Sequence, residues 1–157
     1  MQRITPFFWF DDQAAAAANF YVSVFKNSKV KETTRHTGEE PLGEKGGVMT
    51  VAFELDGQEF VALNGGPRFK FTEAISFVVN CETQEEIDYY WEKLTSDGGE
   101  EVQCGWLTDK YGLSRQVVAS KIAEWATNPN GFQRVVKAMM PMKKLDIATL
   151  QQAYDGK

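Results

Sequence analysis

The sequence is poor in the side chains that hold metals. Its 157 residues include one histidine, His36, and two cysteines, Cys81 and Cys104, which do not form a CxxC pair. Each cysteine reads as a small apolar core residue of a protein in a reducing compartment, with a disulfide or a catalytic thiol as the alternatives. A Cys–His catalytic pair would have to use His36. Long apolar runs are missing too: none approaches the ~20 residues that span a bilayer. The start, Met1-Gln2-Arg3-Ile4-Thr5-Pro6, has neither the apolar stretch nor the small-residue cleavage site of a signal peptide. No run of Lys or Arg offsets the formal charge of −5, so an acidic surface would repel phosphates. The expectation is a soluble, cytoplasmic protein without nucleic-acid or membrane partners.

What is present suits a packed domain. Hydrophobic residues make up 43% of the chain and aromatics 13%, with 11 Phe. Ile4 to Phe10 reads as a strand. Asp11-Asp12 followed by a run of alanines predicts a capped helix, with Phe20, Tyr21, Val24 and Phe25 on its apolar side. Lys29 to Thr37 alternates weakly and reads as an edge strand; Gly38 to Gly47 is a Gly/Glu/Pro loop. Val48–Leu55 and Gln58–Asn64 are strands joined by the hairpin signal Asp56-Gly57.

The pattern β, α, β, β, β then starts again. Ala74–Cys81 is a strand, Thr83 caps a helix over Gln84–Thr95 with Ile87, Tyr90, Trp91 and Leu94 on one face, Glu101–Asp109 reads as a strand or a broken strand, and Leu113–Ala119 as a strand. The period is about 70 residues, and each half alone could not bury its sheet. From Lys121 onward strand character is lost, and two or three amphipathic helices follow, interrupted at Asn128-Pro129-Asn130-Gly131 and at Pro141, the last one starting at Asp146. The expected divisions are a first βαβββ module over 1–67, a second over 68–120 and a helical extension over 121–157, which would pack on the sheets or on a partner subunit.

Several short stretches stand out in order: Ile4-Thr5-Pro6-Phe7-Phe8-Trp9-Phe10-Asp11, Phe53-Glu54-Leu55-Asp56-Gly57-Gln58, Ala62-Leu63-Asn64-Gly65-Gly66 and Phe69-Lys70-Phe71. In the second half they include Tyr89-Tyr90-Trp91-Glu92-Lys93-Leu94, Cys104-Gly105-Trp106-Leu107, Asp109-Lys110-Tyr111-Gly112-Leu113-Ser114 and Met142-Lys143-Lys144-Leu145-Asp146-Ile147. Together they resemble the PhnB-like branch of the vicinal-oxygen-chelate (glyoxalase/bleomycin-resistance/dioxygenase) superfamily, whose members often carry the label 3-demethylubiquinone-9 3-methyltransferase domain. The resemblance covers nearly the whole chain. It implies an α+β fold of paired βαβββ modules forming curled mixed sheets around an open cleft, with C-terminal helices, and a homodimer.

Metal-dependent members of the superfamily carry His and Glu ligands near the first strand and late in the last strand of each module. Those places here hold Pro6 to Phe8, Ala62 to Asn64, and Gln116 where Glu is common, so no metal and no cofactor is expected. His36 falls on the edge strand, as an ordinary exposed histidine. The methyltransferase label would call for a glycine turn opening a helix; Gly65-Gly66 is followed by Pro67, and Gly98-Gly99 ends a helix. The residues expected to line a cleft are Trp9, Phe53, Asn64, Phe77, Cys104, Trp106 and Gln116, with core packing as the competing role for the aromatics. Arg115 stands where the family usually has Trp. Alternation allows only one of Arg115 and Gln116 to face the cleft, and Gln116 is favoured. Asp109 and Glu54 read as solvated carboxylates. The expected function is metal-independent binding of a small planar or aromatic molecule; an enzyme of the superfamily or an interaction module are the alternatives.

Overall fold

The computed structural model describes residues 2–41 and 43–157; Met1 and Leu42, which belong to the expected N-terminal segment and the 38–47 loop, lie outside the described residues. The chain divides into two compact units, Met1–Lys70 and Phe71–Lys157. Each contains a four-stranded mixed sheet.

In the first unit β1 (Phe7–Phe10), α1 (Ala14–Val24), β2 (Lys29–Arg35), β3 (Val48–Leu55) and β4 (Gln58–Asn64) form a sheet of order β1-β4-β3-β2. β1 runs parallel to β4 and the other pairs are antiparallel. Residues that pair across a ladder share a face. Phe8, Phe10, Val51, Phe53, Leu55, Phe60 and Ala62 point to the side where α1 lies, and all are buried. Ala14, Ala17 and Ala18 are fully buried, which lets α1 lie close, and Tyr21 stacks on Phe53 at 6.3 Å. Phe8 packs on Phe60 at 5.4 Å and Phe60 on Phe53 at 5.7 Å.

The start of α1 departs from expectation. Gln13 occupies the cap position and makes no side-chain cap bond, while Asp11 and Asp12 are exposed. The backbone of Phe10 and Asp11 is still tied to the sheet, with their carbonyls accepting from Gly65 N and Gly66 N at 2.9 and 3.2 Å. The cap comes from far along the chain instead: Asn64 Oδ1 accepts from Ala14 N at 2.8 Å, and Asn64 Nδ2 donates to the Val48 carbonyl at 3.1 Å. One amide thereby fixes the helix start, the end of β4 and the start of β3.

The second unit repeats the order. β5 (Ser76–Cys81), α2 (Gln84–Thr95), β6 (Glu100–Glu101), β7 (Trp106–Thr108) and β8 (Ser114–Ala119) give a sheet β5-β8-β7-β6, with β5 parallel to β8. Thr83 caps α2 by accepting from Glu86 N at 3.2 Å, and Glu86 Oε2 accepts from Glu82 N at 2.7 Å. Ile87, Trp91 and Leu94 bury against the sheet. The stretch over Glu101–Asp109, expected as a strand or a broken strand, is two short strands around a turn. Cys104 and Gly105 adopt φ of 61° and 83° there, and a Cβ on Gly105 would come within 2.8 Å of the Val117 carbonyl.

The tail comprises α3 (Ile122–Trp125), α4 (Pro129–Met139) and α5 (Ile147–Asp155), with Asn128 and Asp146 as side-chain caps of the last two. Trp125 stacks on Tyr154 at 6.0 Å. The Gln84 side chain of α2 donates to Leu145 O at 3.0 Å and accepts from Ile147 N at 2.8 Å. Met142 O and Lys143 O accept from Cys104 N and Gly105 N, so the tail is stitched into the same unit.

Replacing the long-range cap should be costly and replacing the nearby aspartates should not. Asn64→Ala is expected to lower stability by about 1–2 kcal/mol, with Asp11→Ala and Asp12→Ala within about 0.5 kcal/mol of the parent, as read from urea denaturation midpoints.

Candidate functional site

Each sheet has one helix-covered face, and the residues of the other parity form a face without a helix. On the first sheet that face carries Phe7 and Trp9 of β1, Val61 and Leu63 of β4, and Thr50 and Ala52 of β3. One row along lie charges: Lys31 pairs with Glu59 and, at 3.2 Å, with Glu54, which Lys29 also approaches at 3.6 Å. These contacts hold the Glu59 carboxyl below its ordinary range, with Lys31 the main cause. Glu54, expected as a solvated carboxylate, sits in this network.

Trp9 is half-buried. Its indole nitrogen donates to Gly66 O at 2.9 Å and its ring lies on Gly65, where a Cβ would be 2.3 Å from Trp9 Cζ2. Phe69 meets Trp9 edge-on at 5.0 Å. Phe69 is 55% exposed and Phe7 59%.

On the second sheet the uncovered face carries Ser76, Val78 and Asn80 of β5, Gln116 and Val118 of β8, and Trp106 and Thr108 of β7. Trp106 and Gln116 are direct cross-strand partners, and Gln116 Nε2 donates to Ser76 Oγ at 2.9 Å. The expected lining residues Trp9, Trp106 and Gln116 thus stand on uncovered faces, the last two together.

The other expected lining residues do different work. Phe53 is fully buried beneath α1, since it shares parity with Val51 and Leu55. Asn64 faces α1 and caps it. Phe77 shares a face with its partner Arg115, whose guanidinium lies 5.8 Å over the Phe77 ring. Cys104 is in the β6–β7 turn, its thiol bonded to the Met140 carbonyl at 3.6 Å. Parity along β3 and β5 carried a signal for Phe53 and Phe77: each strand has its larger residues on one side. Ser76 was legible the same way, two positions before Val78.

Arg115 lines no open face and is no solvated surface residue. It is 2% exposed, as is Asp109, whose Oδ2 lies 3.7 Å from Arg115 Nε. Asp109, expected to be solvated, accepts instead from Tyr111 N and Leu113 N at 2.9 and 3.1 Å, because the β7–β8 turn folds back on it. The repeat explains the location. Arg115 stands four residues before the end of β8, and Phe60 stands four before the end of β4. Leu55 in turn is cross-strand beyond Phe60 as Asp109 is beyond Arg115. A buried ion pair therefore occupies in one module the place of an apolar pair in the other.

His36 follows β2 with its backbone bonded to Gly46 and Gly47, and its side chain is only 9% exposed because the 43–47 segment covers it; it is not the exposed histidine expected. Glu40 Oε2 is 4.0 Å from His36 Nδ1, and bonds from Thr37 and Gly38 hold the Glu40 carboxyl down at about 2. Among the described residues no three His, Cys, Asp or Glu side chains form a group that could hold a metal ion. Neither Gly65-Gly66 nor Gly98-Gly99 opens a helix: the first leads into residues 67–75 without one, and Gly98 closes the 3-10 turn Ser96–Gly98 after α2. A shallow groove of about 420 Å³ beside α4 and α5 is lined by Arg134 and Lys137, but Arg134 already binds the Ala153 and Tyr154 carbonyls at the end of α5.

Residues 2–118 match the family described as 3-demethylubiquinone-9 3-methyltransferase. The chain belongs to that family. Among solved structures it resembles a PhnB protein from Bacillus cereus that carries the same description, with 37% identity over 76% of this chain and all of that one, at a TM-score of 0.68. A Pseudomonas aeruginosa protein, at 16% identity over 76% of this chain and 98% of its own, gives a TM-score of 0.62. A fosfomycin resistance protein from Listeria monocytogenes gives 0.53, with 14% identity over 79% of this chain and 97% of its own. The fold is that of the vicinal-oxygen-chelate superfamily. No curated protein matches the chain. The family match ends inside β8, so the tail helices lie beyond it.

Two outcomes follow from these placements. Breaking the buried pair from one side, by Asp109→Ala or Arg115→Ala, should cost about 3–5 kcal/mol, whereas the double replacement Asp109→Leu with Arg115→Phe should recover most of the loss in thermal denaturation. The thiols should separate as well. Burial, with Glu86 nearby, pushes the Cys81 thiol up to about 12, so at pH 8 it stays protonated and covered. A chromogenic disulfide reagent should titrate one thiol per native chain, Cys104, and reach Cys81 only after denaturation.

Proposed function

We propose that this family member binds a small planar or aromatic molecule on the helix-free sheet faces, without a metal ion. The observation that carries the reading is the Trp106–Gln116 cross-strand pair with Gln116 oriented by Ser76. It combines an aromatic surface with an amide whose direction is fixed, which is how small-ligand sites join apolar contact to a few aimed polar groups. Trp9, with its nitrogen committed to Gly66, offers its ring in the same manner on the first sheet. The family description names a quinone-type compound, which is planar, and this agrees with the chemistry of the face. The reading takes the protein as a cytoplasmic homodimer; no helix among the described residues is long and apolar enough to cross a membrane.

Methyl transfer, as the family is described, is the second reading, favoured by the match over residues 2–118. Calorimetry separates the two. A panel of bicyclic aromatic compounds should include micromolar binders, and Trp106→Ala and Gln116→Ala should each weaken them about tenfold with unchanged melting curves. Micromolar binding of S-adenosylmethionine would move the assignment to the enzyme. A native mass spectrum with one metal ion per chain would sink the metal-free reading.

A further inference from the structure

We infer that the ligand of the first sheet's open face is an aromatic compound bearing an anionic group such as a carboxylate, with Arg68 as the residue that receives the charge. The inference rests on the binding reading above and adds the ligand's charge. Trp9 and Phe69 form a right-angled aromatic corner, their rings 5.0 Å apart at 77°. Arg68 holds its guanidinium 5.2 Å over Phe69. Among the described residues Arg68 has no ion pair, although lysines on the same face are already matched: Lys29 and Lys31 are held by Glu54 and Glu59. Asp11 and Asp12, at the end of β1, form no ion pair with it either.

Exposed arginines are commonly wetted and unpaired, and an exposed phenyl ring is common too. The combination here is less ordinary. Phe69 exposes more than half of its surface against a tryptophan anchored by its own hydrogen bond, and Phe7, on the strand and face of Trp9, is as exposed; apolar surface gathered in this way marks a binding surface. A guanidinium lying over a ring keeps N–H donors that can reach a carboxylate, and it does so in the bidentate way that an ammonium group does not offer. On a chain of net charge −5, this corner is where an anion meets an unmatched cation next to an aromatic surface.

The test compares 2-naphthoate, the neutral 2-naphthylmethanol and the non-aromatic cyclohexanecarboxylate by titration calorimetry with the full chain. 2-Naphthoate should bind at least about tenfold more tightly than either comparison compound, and its advantage over the alcohol should shrink at high salt. Arg68→Gln should abolish that advantage while leaving the alcohol unchanged, and Phe69→Ala should weaken both naphthalenes. Both side chains are exposed, so these variants should keep the parent melting curve. If acid and alcohol bind equally, or Arg68→Gln leaves the preference for the acid intact, the inference is overturned while the aromatic-binding reading stands. If neither naphthalene binds, both fall.

Discussion

A sheet has two faces, and each βαβββ module brings one helix to cover them. That shortage of cover organises the rest of the molecule. In the first unit α1 takes the side of Phe8, Phe53 and Phe60, and in the second α2 takes the side of Leu107, Val117 and Cys81. Apolar burial at about 25 cal/mol per Å² favours filling the covered side completely, and fully buried Phe53, Ile87 and Leu94 reflect it. The opposite parity is left to residues that tolerate water or a ligand. Trp9, Trp106 and Gln116 are among the residues that alternate with the core.

The division between the faces was partly legible in the sequence. The βαβββ repeat, the Asp56-Gly57 hairpin, the Thr83 cap and the helix begun by Asp146 all follow from local signals, because turn and cap chemistry acts over a few residues. The family could be read from ordered short stretches. Partners brought together by tertiary folding could not. Asp11 and Asp12 are good caps by composition, yet Asn64 takes the role from fifty residues away because the end of β4 passes the helix start. An asparagine in a strand reads equally as a ligand contact, and nothing local distinguishes the two. Arg115 and Asp109 were opaque for the same reason: a buried charge is legible only when its partner's position is known.

The two modules also show how a repeated architecture tolerates unlike interiors. Where the first packs Phe60 near Leu55, the second holds Arg115 near Asp109. Burial of the pair costs desolvation that the apolar pair does not incur, and the backbone N–H groups of Tyr111 and Leu113 offset part of it by binding the carboxylate. The ion pair also ties the β7–β8 turn to the core of its sheet, which fixes the strand carrying Gln116. Similar strand order is thus kept by different physics in the two halves.

The stitching of the tail bears on where such a chain can be cut. Met142 and Lys143 lend their carbonyls to Cys104 and Gly105, Leu145 is fully buried, and Gln84 grips the backbone on both sides of Asp146. The stretch shared with the family stops at residue 118, before the carbonyls of Met142, Lys143 and Leu145 and the N–H of Ile147. A fragment trimmed to that shared stretch would leave two amide hydrogens of the Cys104 turn and one glutamine side chain seeking water beside a newly bared apolar floor. Kinship, in this protein, marks a shorter length than self-sufficiency does.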